Sequence, residues 1–440
     1  MTKKIGCFLA KKVVPWINLL AILSAAFFAL MLAAYAIPQS AIEKNAKASI
    51  DALATGEMWP HYATSKSGVS MDYKTDQRMF EYALAEDGDS VFRAAQVPSY
   101  ARYWHGYQAY LRPLLVFMSL TSMRGLNAFF LFAMVGLLMG LIAKRLNTVF
   151  AVCFGASLAM AGFQIVPLSF QFSSVFFVML IASVLLLLLY DKPWFRARIG
   201  MFFFCVGAVT VFLDLLTAPI VSLGVPLILL LLLQMRDQTD PLKSSLHIVT
   251  KSVAWGAGYV SLWFSKWLIA SVALGRNEIR ISIEQIFFRT GTSAQGYINI
   301  DAGETASLQT WGDFASLNRF DALGLAFSTW LNDEHVPIFV TALVLLCFAA
   351  LWSKYARDAI PNALILLVTA LIPMAWLVLL GQHTAFHFYF SYRNLLVAGF
   401  ALFSVPAYLW LQAWRGRLKR TPTFSEEKST FSEEKVAKRL

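Results

Sequence analysis

The sequence predicts an all-α integral membrane protein of about ten transmembrane helices, with a large outer loop between the first two. Three observations carry that expectation. Hydrophobic residues make up 58% of the chain and charged residues 14%, where soluble domains carry roughly 25% charge. Apolar windows of spanning length recur along the chain, and Lys and Arg gather in every second connection between them. In a soluble chain the net charge of +11 would point to nucleic acid; in a membrane chain its placement matters more than its size. The four cysteines (Cys7, Cys153, Cys205, Cys347) lie in or beside apolar segments without a CxxC, so neither a disulfide framework nor a zinc site is expected.

The first span is read at 14–37. Lys3, Lys4, Lys11 and Lys12 precede it, as in a signal peptide, but the apolar run is long for a signal and suits a retained helix better than cleavage after "AAYA". The remaining spans fall near 125–143, 148–167, 171–190, 199–216, 218–235, 252–274, 336–353, 361–380 and 394–413. The fifth and sixth are separated at "LDLLTAPIVSLG", where Asp214, Pro219 and Gly224 favour a break.

With a cytoplasmic N-terminus, the inner connections hold Lys144, Arg145, Lys192, Arg196, Arg198, Arg236 and Lys243. The short outer connections near 168–170 and 217 hold no Lys or Arg. That arrangement satisfies the positive-inside rule and puts both termini in the cytoplasm of a cell (inner) membrane protein. Residues 1–413 then form one polytopic domain with outer loops at 38–113 and 275–335, and 414–440 a basic tail. "TFSEEK" occurs twice in that tail, at 423–428 and 430–435, which suits a solvated, disordered segment.

Loops this long are usually functional or disordered; helical periodicity and aromatics in the first one argue against disorder, so its polar residues are the first candidates for chemistry. In "MDYKTDQRMFEYALAE", Thr75 is a plausible N-cap, with Met79, Phe80, Ala83 and Leu84 on one helical face. Asp76 then stands in the first turn, either as a dipole-favoured aspartate or as a general base or metal ligand, with Asp72 its close competitor. "AEDGDS" (Glu86, Asp87, Asp89) reads by default as an acidic turn at Gly88.

"ARYWHGYQAYLRPL" lines up Arg102, His105 and Arg112 within about 80° if it forms one helix, with Tyr103, Tyr107 and Tyr110 on the other side. Gly106 and Pro113 limit such a helix. Two ionisable residues fall inside expected spans, where they are costly and often functional: Asp214 and Lys266. Asp214 could instead cap the break before Pro219, and Lys266 could snorkel between Trp263 and Trp267. "GQHTAFHFYFSYRN" sets His383 and His387 at i,i+4, followed by Tyr392 and Arg393. As a metal motif it lacks a third ligand, and phosphate or sugar binding with Arg393 as the forked donor is the favoured functional reading.

These groups all fall near the outer interface, where cations hold a lipid-linked phosphate, aromatics stack on a sugar and a carboxylate supplies a base. The layout resembles the GT-C superfamily of polytopic membrane glycosyltransferases, which use polyprenyl-phosphate-linked sugars. The likeness covers roughly 1–413 and rests on the cytoplasmic start, the single helix, the acidic first outer loop, and "YWHGY", "FLDLLTAP" and "HFYFSYRN". It implies an inverting transfer of a sugar from a polyprenyl-phosphate donor to a cell-envelope polysaccharide or lipid-linked acceptor on the outer face. It also implies a first-loop carboxylate, Asp76 or Asp72, as base or metal ligand. Donor binding would fall to Arg102, His105, Tyr107, Arg112, Asp214, Lys266, His383, His387 and Arg393. Family members often carry an adjacent acidic pair soon after the first helix; the only such pair in this loop is Glu86-Asp87. The sequence requires no cofactor and is compatible with a divalent cation. A lipid-linked sugar flippase or other secondary transporter, a polysaccharide polymerase and an acyltransferase are the rival expectations, and the absence of an internal repeat weighs against the transporter.

Overall fold

The computed structural model describes residues 2–54, 71–86, 88–290, 318–332, 335–352 and 354–418. Regular structure among them is helical throughout. In chain order the helices are α1 (Thr2–Tyr35), α2 (Gln39–Ala54), α3 (Tyr73–Glu81), α4 (Val91–Ala94), α5 (Gln108–Leu115), α6 (Leu120–Arg145) and α7 (Thr148–Met160). Then come α8 (Phe170–Leu189), α9 (Pro193–Arg196), α10 (Ile199–Leu213), α11 (Ile220–Arg236), α12 (Pro241–Leu274), α13 (Glu278–Thr290) and α14 (Arg319–Trp330). The chain closes with α15 (Val336–Trp352), α16 (Lys354–Asp358), α17 (Ile360–Thr369), α18 (Leu371–Leu379), α19 (Gly381–Ser391) and α20 (Leu396–Leu418).

Six helical stretches among the described residues are long and apolar enough to cross a bilayer: Val13–Tyr35, Leu120–Arg145, Phe170–Leu189, Pro241–Leu274, Ile360–Leu379 and Gly381–Gly416. The protein is therefore a multi-pass, all-α membrane protein. Four shorter apolar helices, Thr148–Met160, Ile199–Leu213, Ile220–Arg236 and Val336–Leu345, stand where the other expected spans fall. At 1.5 Å per residue a 15-residue helix covers only about 22 Å of a roughly 30 Å hydrocarbon layer.

α11 is almost wholly buried, and α8 and α20 pack against it. α10 lies along α12 at very close range because Gly207 faces Trp255 and Gly258 faces Phe204; a Cβ on either glycine would run into the opposing backbone carbonyl. Such small-residue crossings substitute for a hydrophobic drive that lipid does not supply.

The basic connections gather at one end of this bundle. Arg145 and Arg236 pair with Asp191, and Arg196 lies 2.9 Å from Asp237, so the C-terminal ends of α6, α8 and α11 are tied together. The opposite end carries the segment between α1 and α6, the first outer loop of the sequence expectation.

There the local structure departs from expectation in two ways. The N-cap of α3 is Asp72, not Thr75: the helix begins earlier, and Asp72 accepts the Thr75 backbone N–H. Of the expected helical face Met79, Phe80 and Ala83 are buried and Leu84 is half-buried, with Ala83 and Leu84 lying past the end of α3 at Glu81. "ARYWHGYQAYLRPL" does not form one helix. His105 adopts φ +54°, and α5 starts only at Gln108. The reason is Gly106, whose N–H donates to the Phe212 carbonyl at 2.8 Å, in a place where a side chain would collide with the Phe212 ring. The "AEDGDS" turn does form around Gly88 at φ +86°, while Asp87 lies outside the described residues. So do 419–440, which include the repeated hexapeptide, and 291–317 of the expected second outer loop.

Candidate functional site

α3 supplies the acidic side of the site. Its N-cap Asp72 is buried, accepting from Thr75 N at 3.0 Å, from Thr75 Oγ1 at 2.7 Å and from the Tyr389 hydroxyl at 3.3 Å. Asp76, one turn on, is fully buried against the start of α8. Its Oδ1 accepts from Gln171 N at 2.9 Å and Ser169 Oγ at 3.1 Å, satisfying donors at a helix N-terminus. Its Oδ2 has no hydrogen-bond partner among the described residues. Burial pushes the Asp76 carboxyl up to about 7, against the pull of the Gln171 N–H and the Arg124 guanidinium. Burial also raises Asp72, with its bonds to Thr75 opposing. A carboxyl with one oxygen fixed, the other unengaged and a pKa near neutrality is matched to proton transfer.

The cationic side comes from three other segments. Arg102 lies over the Tyr100 ring at 3.9 Å, and its backbone carbonyl accepts from Trp263 Nε1 and Trp267 Nε1 of α12. Burial alone would raise the Tyr100 phenol, but the charges of Arg102, Arg289 and Arg78 outweigh it and hold it below its usual range. Guanidiniums from α3, the 97–106 loop and α13 thus all act on one tyrosine, with Arg102 in direct contact with its ring.

Arg289 reaches onward to α19. Its Nη1 donates to His383 Nδ1 at 2.6 Å, so His383 carries its proton on Nε2 and donates to the Leu216 carbonyl at 3.0 Å. His383 and His387 lie with ring centroids 4.7 Å apart, and α19 kinks at His387. Leu216, at φ +69°, belongs to the turn capped by Asp214, whose two carboxylate oxygens accept from Thr217 N at 3.1 and 3.0 Å. The break between α10 and α11 is thus real, and Asn394 caps the restart by accepting from Ile220 N at 3.0 Å.

Arg393 is fully buried, with its guanidinium 4.2 Å from the Phe172 ring centroid and Nη1 donating to the Tyr389 carbonyl at 3.2 Å. Its Nε and Nη2 have no hydrogen-bond partner among the described residues. Through Tyr389, then, Arg393 and Asp72 are joined.

The fold therefore brings Asp72, Asp76, Arg102, Asp214, His383, His387 and Arg393 to the same end of the bundle. The other sequence candidates hold the loop in place. Arg112 donates to the carbonyls of Ala34 at 2.9 Å and Ile37 at 2.7 Å and to that of Ala83, clamping α1 to the first loop. His105 donates through Nε2 to the Tyr100 carbonyl at 2.9 Å and accepts from the Tyr107 hydroxyl at 2.8 Å. Burial lowers its pKa to about 3, so it is a neutral imidazole and adds no charge to a cationic stripe. Lys266 donates to the Gln96 carbonyl at 3.1 Å and its side-chain oxygen at 2.8 Å, pinning the loop to α12.

Sequence reasoning missed Arg78, Arg124, Arg289, Tyr100 and Tyr389. Arg289 had a signal: Glu278, Ser282, Gln285 and Arg289 recur at helical spacing in "EIRISIEQIFFRT". Among the described residues no group of three or more His, Cys, Asp or Glu is arranged to hold a metal ion. Comparison with protein-family models, curated proteins and solved structures returned no match.

Proposed function

We propose that this protein is a membrane glycosyltransferase of the GT-C type. It moves a sugar from a polyprenyl-phosphate donor to a cell-envelope polysaccharide or lipid-linked acceptor on the outer face of the membrane. In this reading the chain crosses the cell membrane ten times, the four short apolar helices completing the set, with both termini and the basic tail in the cytoplasm.

One observation carries it: the unengaged Oδ2 of buried Asp76, one helical turn from Asp72, whose hydrogen bond to Tyr389 links it to the segment bearing Arg393. Asp76 is the better base of the two, because both oxygens of Asp72 are already engaged. Asp76 takes the proton of the acceptor hydroxyl, and that oxygen attacks the anomeric carbon. The bond from the anomeric carbon to the phosphate oxygen breaks as the new one forms. The polyprenyl phosphate leaves with the electron pair, its charge met by arginines of the Arg78–Arg102–Arg289 cluster and by Arg393. Displacement in one step inverts the anomeric centre.

The test is direct. Purified protein in nanodiscs is incubated with radiolabelled polyprenyl-phosphate hexoses and candidate glycan or lipid-linked acceptors. Transfer that disappears in Asp76→Asn supports the proposal. Absence of transfer, together with movement of labelled lipid across a proteoliposome bilayer, would replace it with a flippase.

A further inference from the structure

α13 is amphipathic in the reverse sense from a surface helix. Glu278, Ser282, Gln285 and Arg289 fall within about 60° of one another at 100° per residue, and they are only 1%, 1%, 8% and 8% exposed. The opposite side shows Phe287 at 72% exposure and Ile283, beside an Arg280–Glu284 ion pair of 2.9 Å. A helix that buries its polar stripe and shows Phe and Ile outward suits the edge of a bilayer, with something polar beneath it.

The groups around that stripe are short of partners. Ser282 Oγ on α13, Tyr259 OH on α12, His387 Nδ1 on α19 and Arg102 Nε on the first loop are buried atoms without a hydrogen-bond partner among the described residues. Tyr259, His387 and Tyr100 all lie within electrostatic reach of Arg289, and Arg102 sits on Tyr100. Buried polar atoms are nearly always satisfied, so a cluster of exceptions drawn from four elements calls for a ligand. Stacked Tyr82, Tyr100 and Tyr103, at 6.0 and 5.4 Å, add an aromatic face of the kind that sugar rings lie against.

The stripe also has a direction. It runs from cationic Arg289 through neutral Gln285 and Ser282 to Glu278, which is paired with Arg276. We infer that α13 reads the headgroup of a lipid-linked sugar phosphate, with the phosphate held at Arg289 and the sugar hydroxyls met by Gln285 and Ser282. Neutral amide and hydroxyl groups match a polyol and would be poor partners for a second phosphate. The outward Phe287 and Ile283 let the lipid tail stay in the bilayer while its head enters beneath the helix. This rests on the donor class proposed above and adds which element distinguishes a sugar-bearing lipid from a bare one.

The experiment compares binding of polyprenyl phosphate with and without an attached hexose to the full chain in nanodiscs. Wild type should prefer the sugar-bearing lipid at least tenfold. Ser282→Val combined with Gln285→Leu should bring that preference close to one by weakening only the sugar-bearing lipid, and Arg289→Met should weaken both alike. Because the double variant alters buried packing, a wild-type measurement stands beside it: a photoreactive group on the hexose should cross-link within 278–285. A preference retained in the double variant, or cross-links confined to other elements, overturns the role of α13 alone. Failure of wild type to bind either lipid overturns the donor class as well.

Discussion

The phenolic oxygen of Tyr389 lies 3.3 Å from Oδ2 of Asp72, joining residues 317 positions apart. The α3 segment and the α19 segment therefore meet at the carboxylate that caps α3, and the orientation of Asp76 one turn later depends on that cap. Tyr389→Phe removes the contact with little change in volume. Its net contribution to stability is about 0.5–1.5 kcal/mol, so the fold should survive. Turnover should fall roughly tenfold if a misplaced base loses about 1.4 kcal/mol of barrier lowering. Unchanged turnover would mark the contact as purely structural.

Asp76 gives a pH signature. Its carboxyl, raised by burial to about 7, must be ionised to accept a proton, so transfer should rise with pH through about 7 and level off above it. Stability has the opposite sign. The unfolded carboxyl titrates near 3.9, so between about pH 4 and 7 the folded state binds more protons than the unfolded one. Stability should then fall as pH rises through that window. Asp76→Asn should flatten the stability profile while reducing turnover by roughly 10²–10⁴, the usual contribution of general base catalysis. Equal pH slopes in wild type and variant, measured as thermal midpoints in detergent, would locate the titration elsewhere.

The apolar pattern made the membrane class legible, as did the break at Asp214, because hydropathy and turn chemistry are local properties. Met79 and Phe80 of the expected helical face were legible for the same reason, but α3 ends at Glu81, ahead of Ala83 and Leu84. What Lys266 and Arg112 touch was not. Each donates to backbone oxygens of segments distant in sequence, and carbonyls leave no trace in residue identity. The expected single helix through Arg102 and Arg112 failed because a tertiary contact, Gly106 against Phe212, overrode local periodicity. That Arg78, Arg102 and Arg289 all act on Tyr100 depends on three distant segments, which no spacing along the chain announces.

Those two cations should behave differently from Arg102. Lys266→Ala leaves the Gln96 carbonyl and side chain buried without their donor, at about 1–3 kcal/mol. Arg112→Lys replaces a planar fork serving three carbonyls with a single ammonium and should forfeit one or two charge-assisted bonds of ~1.5–3 kcal/mol each. Both variants should lower the thermal midpoint, whereas Arg102→Ala should weaken donor binding with the midpoint nearly unchanged. A normal midpoint for Lys266→Ala would show that its two hydrogen bonds contribute nothing net.

The crossing of α10 and α12 offers a check on packing that is independent of chemistry. Gly207 and Gly258 each face a backbone carbonyl of the other helix, of Trp255 and Phe204 respectively, and carbonyls cannot rotate aside as side chains do. Gly258→Leu should therefore force the helices apart and destabilise by about 1–3 kcal/mol or more. α12 also carries Trp263 and Trp267, which hold the Arg102 carbonyl, so donor binding should weaken together with stability. Loss of stability with fully retained binding would show that the two ends of α12 are uncoupled.

Topology can be tested by reporter fusions, and the ion-pair end fixes what to expect. The C-terminal ends of α6, α8 and α11 share one end of the bundle through Arg145, Asp191, Arg236, Asp237 and Arg196. On the orientation proposed above, the positive-inside rule makes that end cytoplasmic and α3, Tyr389 and Arg289 belong to the outer face. Fusions at residues 60 and 300, both outside the described residues, should report the outer side, and a fusion after 415 the cytoplasm. A polyprenyl-linked sugar presented on the outer leaflet reaches the site only in that orientation. A cytoplasmic signal at 60 would set the carboxylates facing soluble nucleotide sugars instead, and the lipid-linked donor would have to be abandoned.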